Sequence, residues 1–172
     1  MEYAESELDD LKENAIFIFT HKHADHYSKK LLKRVMKEKG GQKYGVSNIS
    51  DLSKLEGLVD DFTIEAFKTE HKFFGIPFRH YSYLINWHGK KIYLSGDTTN
   101  PETIGKIKDI DWAFVPYWIL KNAKDQNIEI DAKMYGVYHL YPAQIPSAKK
   151  NWDQTDNIRP MVEQGELIRI KY

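Results

Sequence analysis

The sequence predicts an α/β fold, and three observations predict it. Short segments of alternating apolar and polar residues are interleaved with segments of helical period. The side chains best suited to chemistry fall where those strand-like segments end. One apolar run, Ala15-Ile16-Phe17-Ile18-Phe19, leads straight into Thr20-His21-Lys22-His23-Ala24-Asp25-His26, which carries four metal-capable side chains in six residues. Loops at one edge of a sheet build the site in such a layout.

Taken in order, the acidic start predicts a short helix over 5–13, with Leu8 and Leu11 on its apolar edge. Ile16 to Phe19 is the first strand. Ser28 can cap a helix from Lys29 to Lys39, with Leu31, Leu32, Val35 and Met36 on one face and Lys29, Lys30, Lys33 and Lys37 on the other. That basic run therefore reads as a solvated helix face. Gly40-Gly41 stops it. Tyr44 to Val46 is a short strand, 51–58 a weak helix or turn, and Phe62 to Thr69 a strand with Glu70-His71 at its end. Gly75-Ile76-Pro77 breaks structure.

Tyr81–Trp87 and Lys91–Ser95 form a hairpin through His88-Gly89, and Gly96-Asp97-Thr98 closes its second strand. Pro101 opens a helix to Lys108. Asp111–Pro116 is a strand, Ile119–Lys124 a helix, and Met134–Tyr138 a strand ending at His139. The stretch 141–164 is turn-rich and poorly patterned. Gly165–Tyr172 alternates Leu167, Ile168 and Ile170 and predicts a final strand.

A chain of 172 residues fits a single domain, 1–172, with one core. With 25 basic and 25 acidic residues the net charge is zero, so nothing asks for nucleic acid or an anionic membrane as partner. There is no cysteine, which removes disulfides, thiolate nucleophiles and thiolate ligands together. A metal site must be built from His and carboxylate. No apolar run approaches membrane-spanning length. The first fourteen residues are acidic and polar, unlike a signal peptide, and the sequence as given reads as cytoplasmic. A true start further upstream would leave a periplasmic or secreted location open.

A backbone leaving a strand can turn alternate side chains toward one point, so His21 and His23 can share one metal ion. Asp25 and His26, one turn further, can meet a second. Neutral imidazole and carboxylate suit zinc best, with Fe(II) or Mn(II) as alternatives. A lone histidine at a strand end is most often a plain surface residue; four such side chains at this spacing after an apolar strand are not. His71 ends the Phe62–Thr69 strand directly, whereas its rival His80 precedes the next one and could instead support the ligands from behind, face a substrate or be merely exposed. His88 sits in a hairpin turn and reads as surface. Tyr27, Tyr117, Trp118 and Tyr141 flank these positions, either as pocket wall or as core.

The His21–His26 stretch matches the H-x-H-x-D-H signature of the metallo-β-lactamase fold superfamily, and Tyr93-Leu94-Ser95-Gly96-Asp97-Thr98 resembles that family's S-G-D-T element. Trp112–Pro116 is similar to its next buried strand. The resemblance covers Ala15 to Tyr141 well, and it implies an αββα sandwich. It implies that His21, His23 and His71 hold one divalent ion. Asp25, His26 and His139 would hold the other, and Asp97 would bridge the two.

The expectation is then a dinuclear hydrolase, zinc-dependent by preference, acting on a small ester, lactone or phosphodiester through a metal-bridging hydroxide. Asp25 and Asp97 would be its catalytic carboxylates. His23 stands where flavodiiron proteins have a Glu, which favours hydrolysis over oxygen reduction. The His-x-His-Ala-Asp-His-Tyr start, the S-G-D-T element and the short build look most like the branch that includes the L-ascorbate-6-phosphate lactonases. The family has several strands before its His motif, but here twenty residues precede His21. Its first sheet is therefore expected to be abbreviated or truncated, leaving an exposed edge that invites a homo-oligomer. The competing reading is a metal-binding, catalytically silent domain with a structural or regulatory role. A third, weaker reading is a metal-free α/β protein with scattered histidines.

Overall fold

The computed structural model describes residues 11–24, 27–73, 75–152, 155–162 and 168–171. The chain first makes a βαβ unit: β1 (Ile16–Phe19), α1 (Lys29–Glu38) and β2 (Gln42–Gly45). The two strands pair in parallel from Ile16 against Gln42 to Phe19 against Gly45. Parallel neighbours need a crossover, and α1 supplies it. Ser28 starts this helix by accepting the Leu31 N–H at 3.2 Å. Leu32 and Val35 are buried. Gly40 and Gly41, at φ 73° and 102°, return the chain to β2. A 3₁₀ helix over Ile49–Gly57 then buries Leu52 and Leu55.

The rest builds one six-stranded sheet and the segments that cover it. In chain order these are β3 (Phe62–Thr69), a two-stranded flap of β4 (Lys72–Phe73) and β5 (Ile76–Pro77), β6 (His80–Trp87), β7 (Lys90–Leu94) and α2 (Glu102–Gly105). Next come β8 (Ile110–Pro116), α3 (Tyr117–Asp125), β9 (Ala132–Tyr138), α4 (Ile145–Trp152) and β10 (Ile158–Pro160). The sheet order is β10-β9-β8-β7-β6-β3. β6 runs antiparallel to both β3 and β7, whereas β7 to β10 are mutually parallel. His88 and Gly89 take φ 47° and 71°, the two positive values that a tight β6–β7 hairpin requires.

Alternation along the strands divides the core in two. Ile64, Tyr83 and Ile85 face the βαβ unit and the 3₁₀ helix, packing with Tyr44, Leu52 and Leu55. Leu84, Tyr93, Ala113, Val115 and Val137 face the other way, onto Ile104 of α2 and Ile119 of α3. Tyr83 ties the small sheet to the large one: its buried hydroxyl donates to the Phe19 carbonyl at 2.8 Å. Burial also pushes that phenol well above the ordinary tyrosine range.

The mixed α/β class expected from the sequence is the one observed, and β1 and β3 occupy the predicted residues. Four expectations need correction. Residues 141–164 are not merely turn-rich, because α4 and β10 lie there. β10 is a three-residue edge strand, too short to show alternation, and it forms because β9 offers it a parallel partner. The predicted final strand is not formed over 168–171; the remainder of it, apart from 168–171, lies outside the described residues. Alternation alone cannot make a strand without a free neighbour, and β10 already takes the place beside β9. Residues 11–13 are bend and turn rather than helix, and 5–10 lie outside the described residues. Gly75-Ile76-Pro77 does not simply break structure: Gly75, at φ 78°, turns the β4–β5 flap. Among the described residues, no helix is long and apolar enough to cross a membrane.

Candidate metal centre

Each candidate side chain is delivered by the end of a strand. β1 releases Thr20 to His23, and the Tyr81 N–H holds the Thr20 carbonyl at 2.9 Å, fixing this loop to β6. His71 follows β3, Asp97 follows β7 and His139 follows β9. His139 turns the chain out of β9 with φ 61°, a left-handed value uncommon outside glycine.

These ends converge. His21, His23 and His71 each offer a ring nitrogen, and the three atoms lie within 4.8 Å of one another. His71 Nε2 is 3.2 Å from His23 Nδ1. On its far side His71 donates from Nδ1 to the Asp97 carbonyl at 2.9 Å, which leaves Nε2 as the nitrogen with a lone pair facing the cluster. Thr20 Oγ1 meets His21 Nδ1 at 3.0 Å, so His21 turns Nε2 inward. A single carboxylate oxygen completes the group. Asp97 Oδ2 lies 3.5 Å from His21 Nε2 and 3.1 Å from His139 Nε2. Three buried or half-buried imidazoles, with the Nδ1 atoms of His21 and His71 held from outside, are a donor set that fits a divalent ion of the zinc kind.

His80 lies behind this group. It is fully buried, and its ring centroid is 5.2 Å from that of His21 and 5.4 Å from that of His71. Its Nε2 accepts the Asp97 N–H at 2.9 Å, and its Nδ1 meets Thr69 Oγ1 at 2.7 Å. Burial first, then the neighbouring His21 and His71, lowers its pKa to about 3, so the ring is neutral. Gly96 makes the turn before Asp97 at φ 59°, and a Cβ there would run into His80 Nε2 and come within 2.7 Å of Thr20 Cβ. Two constraints therefore demand glycine at this position.

Aromatic side chains frame the centre. Phe78 packs edge-on against His23 with centroids 4.4 Å apart. Trp118 lies 5.1 Å from His139 and donates its indole N–H to the Thr98 carbonyl at 2.9 Å. Tyr138 donates to the Gly96 carbonyl at 2.8 Å, and burial pushes its phenol up. Thr20, Leu94, Gly96, Asp97, Phe114 and Tyr138 line a cavity of 280 Å³ beside the Asp97 turn.

Of the seven ligand positions named from the sequence, the structure brings His21, His23, His71, Asp97 and His139 together; Asp25 and His26 lie outside the described residues. His88 sits at the hairpin turn, 3.5 Å from Asp61. Of the aromatic residues flanking the motif, Trp118 does reach the centre. Sequence reasoning missed Phe78 and Tyr138, whereas a supporting place behind the ligands was one of the readings it left open for His80. The Thr69–His80 pairing across β3 and β6 holds the signal, because it is legible once the hairpin register is known.

No family model and no curated protein sequence matches this chain. Solved structures do. A candidate metal-dependent hydrolase from Parabacteroides distasonis ATCC 8503 superposes with a TM-score of 0.63 at 22% identity, over 89% of this chain and 78% of that one. CmlA, a diiron β-hydroxylase from Streptomyces venezuelae, gives 0.54 at 14% identity, over 89% of this chain and 45% of its own. A candidate Zn-dependent hydrolase of the metallo-β-lactamase superfamily from Thermotoga maritima gives 0.40 at 16% identity, over 73% and 59%, and nothing further is drawn from it. What the first two likenesses establish is the fold alone: mixed α/β, shared with those structures.

Proposed function

We propose that this chain is a dinuclear metal-dependent hydrolase of the metallo-β-lactamase superfamily, acting on a small ester, lactone or phosphodiester. The observation that carries the reading is the position of Asp97 Oδ2 between the Nε2 atoms of His21 and His139. One carboxylate oxygen within reach of two separate imidazoles is what a bridge between two ions needs. In this assignment His21, His23 and His71 hold one ion, Asp25, His26 and His139 the other, and Asp97 links them. Zinc is the ion the donor set suits best, with manganese and iron as alternatives.

Divalent ions held by these residues would supply an acidified water and polarise the scissile group. The protein's own share is positional. His71, held through Nδ1 by the Asp97 carbonyl, keeps its other nitrogen aimed at the cluster. Asp25 is assigned to accept a hydrogen bond from the attacking water. Phe78 flanks His23 and Trp118 flanks His139.

The test is metal content together with turnover. Protein purified without chelator is expected to carry close to two ions per chain. It is also expected to turn over a generic ester, a lactone or bis(p-nitrophenyl) phosphate. Asp97→Ala should cut that turnover by about a hundredfold or more, since several kcal/mol of charge stabilisation go with the bridge. A chain without bound metal, or an Asp97→Ala protein as active as its parent, sinks the reading. The lactone belongs in the panel because the motifs most resemble the ascorbate-6-phosphate lactonase branch.

A further inference from the structure

We propose that His80 is a positioning residue, whose single tautomer locks the Ser95–Gly96–Asp97 turn and so sets where the Asp97 carboxylate points. The inference rests on the metal-centre reading above, and it follows from hydrogen-bond polarity. A backbone N–H can only donate, so the 2.9 Å contact from Asp97 N makes His80 Nε2 an acceptor. The neutral ring must then carry its proton on Nδ1, which donates to Thr69 Oγ1 at 2.7 Å. Ser82 donates its hydroxyl to the Ser95 carbonyl at 2.7 Å. The Thr69 hydroxyl proton is therefore the one available for the 3.1 Å contact with Ser82 Oγ.

Every proton in the chain has one direction, and the chain closes on itself. It leaves the turn at the Asp97 N–H, passes through His80, Thr69 and Ser82, and returns at the Ser95 carbonyl. All four of Thr69, His80, Ser82 and Ser95 are buried. β3 and β6 place Thr69 opposite His80, so the register of a rigid sheet holds the ring. His71 takes the Asp97 carbonyl from the other side, and Asp97 thus has both main-chain groups held by imidazoles. A metal ligand whose backbone is fixed at both ends presents its carboxylate with little freedom to reorganise.

The experiment compares His80→Gln, His80→Leu and the parent chain. A Gln Oε1 can still accept the Asp97 N–H; Leu cannot. Zinc affinity is read by chelator competition, stability by thermal melting, and the parent's His80 tautomer by long-range ¹H–¹⁵N correlation. The expected results are an Nδ1-protonated ring, zinc affinity about 10–100-fold weaker in His80→Leu, and affinity largely retained in His80→Gln even where both lose stability. A packing role alone would make affinity follow stability in both variants. An Nε2-protonated ring, a His80→Leu protein with the parent's affinity, or a His80→Gln protein as weak as His80→Leu overturns the proposal. If His80→Leu does not fold, the tautomer and the His80→Gln affinity decide. A parent chain that takes up no zinc instead overturns the metal-centre reading itself, whereas normal zinc uptake with an indifferent His80→Leu defeats this inference alone.

Discussion

His71 Nε2 and His23 Nδ1 face each other at 3.2 Å, although 48 residues separate them in the chain. A ring nitrogen that takes up zinc must present its lone pair, so protons and zinc compete for this pair. Zinc binding is expected to release protons, measurable by calorimetry in buffers of differing ionisation enthalpy. At saturating zinc, His71→Ala should lower stoichiometry by one ion, and His80→Ala should lower affinity without removing an ion. The opposite ranking would exchange the roles assigned to the two histidines.

Gly96→Ala should destabilise the fold and disorder the centre together. The new methyl meets His80 Nε2, and φ 59° strains any residue with a Cβ. A cost of about 1–3 kcal/mol is expected. For a chain of this size it would appear as a melting temperature lower by roughly 2–10 °C. A melting curve that coincides with the parent's would show that the turn yields more easily than its contacts indicate.

Acid should weaken the chelator-treated protein through His80. Its folded pKa, about 3, lies below the ordinary 6.5, so between those values the unfolded chain binds the extra proton. The stability this group contributes is complete above pH 6.5. It declines as pH falls toward 3, with a slope of at most about 1.4 kcal/mol per pH unit for one proton. Urea titrations at several pH values, with His80→Gln as control, measure that slope. A parent and a variant with the same acid dependence would remove His80 as its source.

Tyr83→Phe should cost about 1–2 kcal/mol. The substitution removes one hydroxyl and leaves the ring packing intact, so the loss reports the bond to the Phe19 carbonyl. Denaturant midpoints read it directly. A neutral result would mean that water replaces the hydroxyl without penalty.

Among the described residues β1 pairs with β2 alone, and a strand with a bare second edge is a template for pairing. Association of the chain through this edge is expected, and light scattering across a concentration series should show the mass rising. A constant monomer mass, with β1 amides protected from hydrogen exchange, would show that the edge is covered.

Local patterns made most of this molecule legible. β3 alternates cleanly because one face of it is core, and α1 declares itself through Ser28 and a lysine face. The histidine-rich stretch after β1 marked the centre, since chemistry-bearing residues at that spacing seldom serve packing. What stayed hidden depends on register and neighbours. α4 and β10 are short pieces stabilised by the chain around them. The work of His80 exists only because β3 sets Thr69 across from it. No pattern within a window of ten residues contains that pairing.

The donors at the centre come from two different sheets. His21 and His23 ride on the two-stranded unit, while His71, Asp97 and His139 belong to the six-stranded sheet. An ion held among them would act as a rivet between plates, closing loops that span most of the chain. Such closure restricts the unfolded ensemble most when the linked residues are far apart in sequence. Removal of the ion should therefore loosen the small plate first, and amide exchange in β1 and β2 should quicken while β8 and β9 stay protected. Catalysis and the cohesion of the two plates would then share a single fastening.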